Sequence, residues 1–329
     1  MINDLLNLAQ SIESKWTDGT HESFSKISTE VLQGLNFNHP LVEFENELAK
    51  WLLENELPRQ INVYNEFGQP PVTLFNNEKF VIDLYFWMHA DTSVHSHSFS
   101  GAFKVLFGRS VHEVFKVQEV KSYSSDVMKT DIKRESIELL NTGSIHPILS
   151  GNSFNHRVLH IDHPTVTLCI RTVNDNRPQW HHFTNGLSIE KKSLSQKELK
   201  TLFYYDYLNN NENPKSVDFL EKMIASLSIS SALNLYEILS NDLMGMSEES
   251  AELIVSKVYE KYHQTEWFSI YESFYQEVQE YIYLEAQSPA DKILEHGYNS
   301  NYPKELLVDL IEKIQGSPLN SFQQEVLDS

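Results

Sequence analysis

Val94-His95-Ser96-His97-Ser98-Phe99-Ser100-Gly101-Ala102-Phe103-Lys104-Val105-Leu106-Phe107-Gly108 is the stretch from which the fold of this chain is read. Alternate residues of a strand point to one face, so His95 and His97 aim two imidazoles at one point. Neutral imidazole at such a point suits Fe, Zn, Cu or Ni. The plainer explanation of the pair is two exposed histidines on a polar loop, and the surrounding sequence argues against it.

On both sides of the pair the chain is rich in β-branched and aromatic residues broken by short turn signals. Candidate strands cover 60–67, 72–76, 79–88, 102–107, 111–123, 136–141, 144–149, 157–161, 165–172 and 187–191, with 124–133 expected to be a polar excursion loop. Many short strands at close spacing indicate an antiparallel sandwich or barrel. Further out, the period becomes helical. Leu5, Leu8, Ile12 and Trp16 recur at helical spacing, as do Phe24, Ile27, Val31 and Leu32 ahead of Gly34. Leu41, Phe44, Leu48 and Leu52 repeat the pattern after Pro40. Beyond about residue 195 three more stripes follow: Phe219 to Leu227, Phe268 to Ile282 and Leu306 to Ile314. The tyrosine-rich middle stripe is expected to be core rather than a groove. The asparagine run 209–213 before Pro214 is a candidate boundary. The expected class is α+β: an antiparallel β-barrel over residues 57–195, an N-terminal helical segment over 1–56 and a C-terminal helical region over 196–329.

A net charge of −20 argues against nucleic acid or an anionic membrane as partner, because phosphate is bound by clustered Lys and Arg. The one cysteine, Cys169, excludes an internal disulfide and a cysteine-rich zinc site. No apolar run reaches membrane-spanning length, and the first residues carry no basic region followed by an apolar stretch. A cytoplasmic location is the expectation.

A third ligand should come from another strand of the same barrel. In Ser150-Gly151-Asn152-Ser153-Phe154-Asn155-His156-Arg157-Val158-Leu159-His160, a polar turn leads into a strand with His156 at its start. Two histidines from one strand and one from a distant strand cap one face of a metal and leave positions for substrate and dioxygen or water.

These residues resemble the cupin superfamily. Its first motif is Gly-x5-His-x-His-x3–4-Glu-x6-Gly; here His89 stands for the first Gly, His95 and His97 match, Gly101 stands at the Glu position and Gly108 closes it. In the second motif, Gly-x5-Pro-x-Gly-x2-His-x3-Asn, His156 matches, with Ser153 for the preceding Gly and His160 for the terminal Asn. Most metal cupins bind through three histidines and that glutamate. A three-histidine site is a feature of the cysteine-dioxygenase-like branch, which the chain resembles over about residues 56–190. The strand around 79–87 and the pair from His156 through Arg171 are similar to that branch. The resemblance implies an Fe(II) oxygenase with dioxygen and a small substrate. It also implies a Ser-His-Tyr relay that this chain has replaced, since Cys169 stands at the relay histidine, Arg171 at the tyrosine and Ala102 at the crosslinking cysteine. Arg59 lies near where the family's carboxylate-binding arginine stands.

An inward Arg171 needs a charge partner, either a substrate carboxylate or phosphate or an acidic side chain of this chain. Cys169 on an apolar strand is expected to be inert packing. His160 is a candidate for orienting a ligand. His89 and His112 are weaker neighbours of the site, and Asp91 is the nearest carboxylate able to replace Gly101. His146 is expected to be structural, His181 and His182 to lie at a turn or barrel rim, and Tyr85 and Trp87 to be core. The expected function is therefore a mononuclear non-haem iron oxygenase acting on a carboxylate- or thiol-bearing small molecule. Fe(II) would be held by His95, His97 and His156, with Arg171, Arg59 and His160 around the substrate. Zn, Mn, Ni or Cu are alternative ions. A non-redox cupin enzyme and a non-enzymatic ligand-binding scaffold are alternative functions, and the helical segments could join a homodimer.

Overall fold

The computed structural model describes residues 1–61, 68, 70–88, 92–173, 177–192, 194–241, 243–279, 281, 284 and 288–328. His89, Asp91 and most of the strand expected at 60–67 lie outside the described residues. The chain forms two compact units. The first gathers Met1–Lys116, Lys133–Arg177 and Glu280–Ser329; the second gathers Val117–Ile132 and Pro178–Gln279. The fold class is the α+β one expected, with antiparallel barrel strands between helical segments.

The first unit opens with three helices, α1 (Ile2–Lys15), α2 (His21–Gly34) and α3 (Leu41–Glu54). Thr20 caps α2 by accepting from the Ser23 amide, and Pro40 sits at the N-cap of α3. Then follow β1 (Pro71–Asn76), β2 (Phe80–Trp87), β3 (Val94–His97), β4 (Gly101–Phe107), β5 (Ser110–Ser122), β6 (Val127–Leu140), β7 (Ile145–Ile148), β8 (Gly151–His160) and β9 (Thr165–Thr172). One sheet runs β1-β2-β9-β4-β7; the other has the order β6-β5-β8-β3.

Strand alternation divides the five-stranded sheet into two faces. Phe80, Ile82 and Leu84 of β2, Ala102 and Leu106 of β4, and Val166, Leu168 and Ile170 of β9 pack with Leu5, Ile12, Phe24, Leu32 and Phe44 of the helices. The opposite face carries Asp83, Tyr85 and Trp87, paired in register with Cys169, Thr167 and Thr165. Val111 of β5 and Leu159 of β8 are covered by α9 (Pro289–Asn299) and α10 (Lys304–Gln315), through Ile293, Leu294, Leu307 and Ile311. A last helix, α11 (Ser321–Asp328), follows.

The second unit holds the outer ends of β5 and β6 and the strands β10 (Trp180–His182) and β11 (Leu187–Glu190), β11 pairing with both β10 and β6. Its helices are α4 (Gln196–Asn210), α5 (Ser216–Ser226), α6 (Ile229–Asn241), α7 (Glu248–Tyr262) and α8 (Glu266–Gln279). Their core is Leu202, Tyr205, Leu220, Ile224, Leu233, Ile254, Phe268 and Tyr271, so the tyrosine-rich stripe does face inward at its start.

Three expectations are corrected. The polar loop at 124–133 is a tight turn followed by β6, because Val127, Met128 and Thr130 are buried between polar neighbours. His181 and His182 lie in a strand, with His182 Nδ1 2.7 Å from Ser188 Oγ. The asparagine run is the end of α4 and the turn into α5 within the second unit.

Candidate metal centre

β3 pairs antiparallel with β8, placing His95 opposite His156, with a register shift before His97 meets Gly151. The shift lets both β3 histidines and His156 share one space although the strands are irregular there. One nitrogen from each of His95, His97 and His156 lies within 4.8 Å of the others, and all three residues are buried. The ring centroids stand 4.7 to 5.0 Å apart. His97 Nε2 is 2.9 Å from His156 Nε2. Two nitrogens each about 2.1 Å from one ion and at right angles to it would be about 3.0 Å apart, so the spacing fits a shared metal.

Two of the rings are oriented from behind. His95 Nδ1 is 2.7 Å from the Ser93 carbonyl oxygen, which places the hydrogen of a neutral ring on Nδ1 and makes Nε2 its ligating nitrogen. His156 Nδ1 is 2.9 Å from His112 Nε2, and His112 Nδ1 is 2.9 Å from Glu138 Oε1. Burial holds His156 well below the usual histidine range, with His95 and His97 adding to it, so the ring is in the neutral form that ligates. Burial likewise lowers His112 against the opposing pull of Glu138, and lowers His146. Phe99 and Phe154 lie over His97, at 4.6 and 6.3 Å between centroids. The donor set is three imidazoles in an aromatic enclosure, and it suits a borderline divalent ion.

Gly101 accounts for the missing carboxylate. A Cβ built there would lie 2.1 Å from the Ile170 carbonyl oxygen and 2.8 Å from Arg171 Cα. The backbones of β4 and β9 meet at this pair, and no side chain fits between them. Gly108, at φ +80°, makes the turn into β5, where a Cβ would meet Thr165.

Arg171 is buried on the face shared with Asp83 and Cys169. Its Nε donates to Asp83 Oδ2 at 3.0 Å, and its guanidinium lies 4.6 Å from the Phe99 ring centre. Burial works against the Arg171 charge, but Tyr85, Asp83 and Cys169 hold it above its ordinary value. Its Nη2 is buried and makes no hydrogen bond among the described residues. Asp83 also accepts from Thr73 Oγ1 at 2.8 Å and Tyr85 Oη at 3.2 Å. Burial pushes the Cys169 thiol up to about 12. Tyr85 and Trp87 stack 5.7 Å apart, and Trp87 stacks on His160 at 4.2 Å. His160 Nδ1 is 3.0 Å from Ser110 Oγ. Arg59 is apart from this constellation: its side chain is 80% exposed and pairs with Glu78 at 3.8 Å.

Sequence reasoning missed a second grouping. His112, Glu138 and His146 also bring one donor atom each within 4.8 Å of one another. From the sequence His146 is expected to be structural, and no motif marks Glu138. The available signal was parity: His112 lies two residues from Ser110 and so shares the inward face of β5.

No family model matches the chain, and no curated protein matches it. Similar solved structures include a hydroquinone 1,2-dioxygenase in complex with Cd2+ and 4-hydroxybenzonitrile, at 17% identity over 34% of this chain and 68% of that one, with a TM-score of 0.25. Another is the hydroquinone 1,2-dioxygenase of Sphingomonas sp. TTNP3 with 4-hydroxybenzoate bound, at 10% identity, 37% and 84% coverage and a TM-score of 0.26. A cupin-2 domain protein from Shewanella frigidimarina matches at 14% identity, 39% and 93% coverage and a TM-score of 0.24. Values this low transfer neither family nor function, and the architecture rests on the strand order and registers above.

Proposed function

We propose that this chain is a cupin-type mononuclear non-haem iron oxygenase acting on a small molecule that bears a carboxylate or thiol. The observation that carries this is the convergence of three buried imidazoles with no carboxylate among them in the described residues. His95, His97 and His156 would hold Fe(II), which would supply dioxygen activation by one-electron chemistry. Three neutral ligands leave the ion's charge uncompensated, which favours an anionic substrate beside it. Arg171 orients that substrate: Asp83 occupies its Nε, and Nη2 remains to donate. Phe99 and Phe154 exclude water from the space beside His97, and His160 fixes the Trp87 ring by stacking on it.

The test is anaerobic loading with Fe(II), metal analysis, the electron paramagnetic resonance signal under nitric oxide, and oxygen uptake with a panel of small thiols and carboxylates. One iron per chain is expected, lost in His95→Ala. Arg171→Lys should raise KM for an anionic substrate far more than it lowers kcat. Iron retained after His156→Ala overturns the ligand set. Stoichiometric zinc with no oxygen uptake would favour a non-redox metalloenzyme.

A further inference from the structure

We propose a second transition-metal site, formed by His112 Nδ1, Glu138 Oε1 and His146 Nε2, that excludes metal from the buried three-histidine group. The three donors come from β5, β6 and β7, three separate strands of the first unit. Glu138 Oε1 lies 2.9 Å from His112 Nδ1 and 3.3 Å from His146 Nε2. Those spacings again bracket the roughly 3.0 Å expected between adjacent ligands of one ion. Two imidazoles and one carboxylate suit Fe(II), Co(II), Ni(II) or Zn(II). Phe103 stacks on His146 at 5.7 Å and holds its ring. Exposure is graded across the group: His112 is fully buried, His146 is 21% exposed and Glu138 42%. An ion from solvent therefore meets the carboxylate first.

Exclusion follows from the His112–His156 bond, and this part alone rests on the buried group being a metal site. A neutral imidazole carries one N–H. With an ion on His156 Nε2, the hydrogen of that ring is on Nδ1 and is donated to His112 Nε2. The His112 hydrogen is then on Nδ1, pointing at Glu138, and that nitrogen cannot ligate. With an ion on His112 Nδ1, the hydrogen sits on His112 Nε2 and is donated to His156 Nδ1. His156 then carries its own hydrogen on Nε2, which closes it to the buried ion. One chain of two imidazoles thus serves one metal at a time.

Co(II) alone is the probe, added to the full-length protein, with bound metal counted by equilibrium dialysis and its visible absorption recorded. Wild type should bind one tight equivalent. His97→Ala should still bind one equivalent with a changed spectrum, and adding Glu138→Gln to it should weaken that binding at least tenfold. His146→Gln, at a partly buried position, provides an independent variant should Glu138→Gln not fold. Two tight equivalents in wild type overturn the exclusion. Binding by His97→Ala that is indifferent to both Glu138→Gln and His146→Gln overturns the second site. A wild-type spectrum untouched by His97→Ala yet abolished by Glu138→Gln supports the second site while overturning the buried centre.

Discussion

At the scale of the residue, Gly101 is the position where fold and chemistry meet. Any side chain would push against the Ile170 carbonyl oxygen at 2.1 Å, so Gly101→Ala should destabilise the protein by about 3 kcal/mol, read by urea unfolding. Gly101→Glu should not recover a fourth ligand, since strand β4 must separate from β9 to admit it. Arg171→Met leaves Asp83 buried with one cation fewer and should cost about 3–5 kcal/mol by the same measurement. The histidine pair was legible in the sequence because a strand has a period of two. The shared space with His156 was not, because it depends on a register shift between strands that no local pattern records. The sequence does not choose between substrate and protein as the partner of Arg171; the β2–β9 register does, by placing Asp83 two residues from Val81, the cross-strand neighbour of Arg171.

At the scale of the element, the outer face of β5 holds the C-terminal helices through one buried carboxylate. Glu113 takes a two-bond contact from Arg157 at 2.6 and 2.9 Å, an ion pair from Arg134 at 2.8 Å and His296 Nε2 of α9 at 3.0 Å. Burial alone would raise its pKa, but His296 and Arg157 outweigh burial and hold it at about 2, against an ordinary 4.5. The unfolded chain therefore takes the proton first. The stabilisation is complete above pH 4.5 and is lost as pH falls toward 2, with about 2 kcal/mol of it gone by pH 3. Urea unfolding at pH 5 and pH 3 should show that slope, and Glu113→Gln should lose it while being about 3–5 kcal/mol less stable at pH 7. On β4, Lys104 points the other way and donates to the Leu32 and Leu35 carbonyl oxygens at the end of α2, at 3.1 and 2.5 Å. The helical stripes and most strands were legible from period. Of β6 only the end at 136–140 was legible; its start at 127–133 reads as polar loop because Lys129, Asp131 and Lys133 alternate with the buried Val127, Met128 and Thr130.

At the scale of the whole molecule, Cys169 is a built-in reporter. It is the chain's one cysteine, is buried between Phe103 and Asp83 on neighbouring strands, and has its thiol pushed up to about 12. A thiol reagent at neutral pH should leave the native protein unlabelled for hours and label it at the rate at which the first unit opens; fast stoichiometric labelling would contradict that burial. The two-unit division was not legible, since neither unit is a continuous stretch and helical or strand period says nothing about which segments meet. That discontinuity has a consequence for the timing of synthesis. Within the first unit His296 is synthesised 183 residues after Glu113, so Arg157 and Glu113 wait on the ribosome for a partner made much later. During that interval the faces of Val111 and Leu159 that α9 and α10 later cover are bare. A nascent chain stalled before residue 289 should bind chaperones that the finished protein ignores, whatever ion the histidines hold.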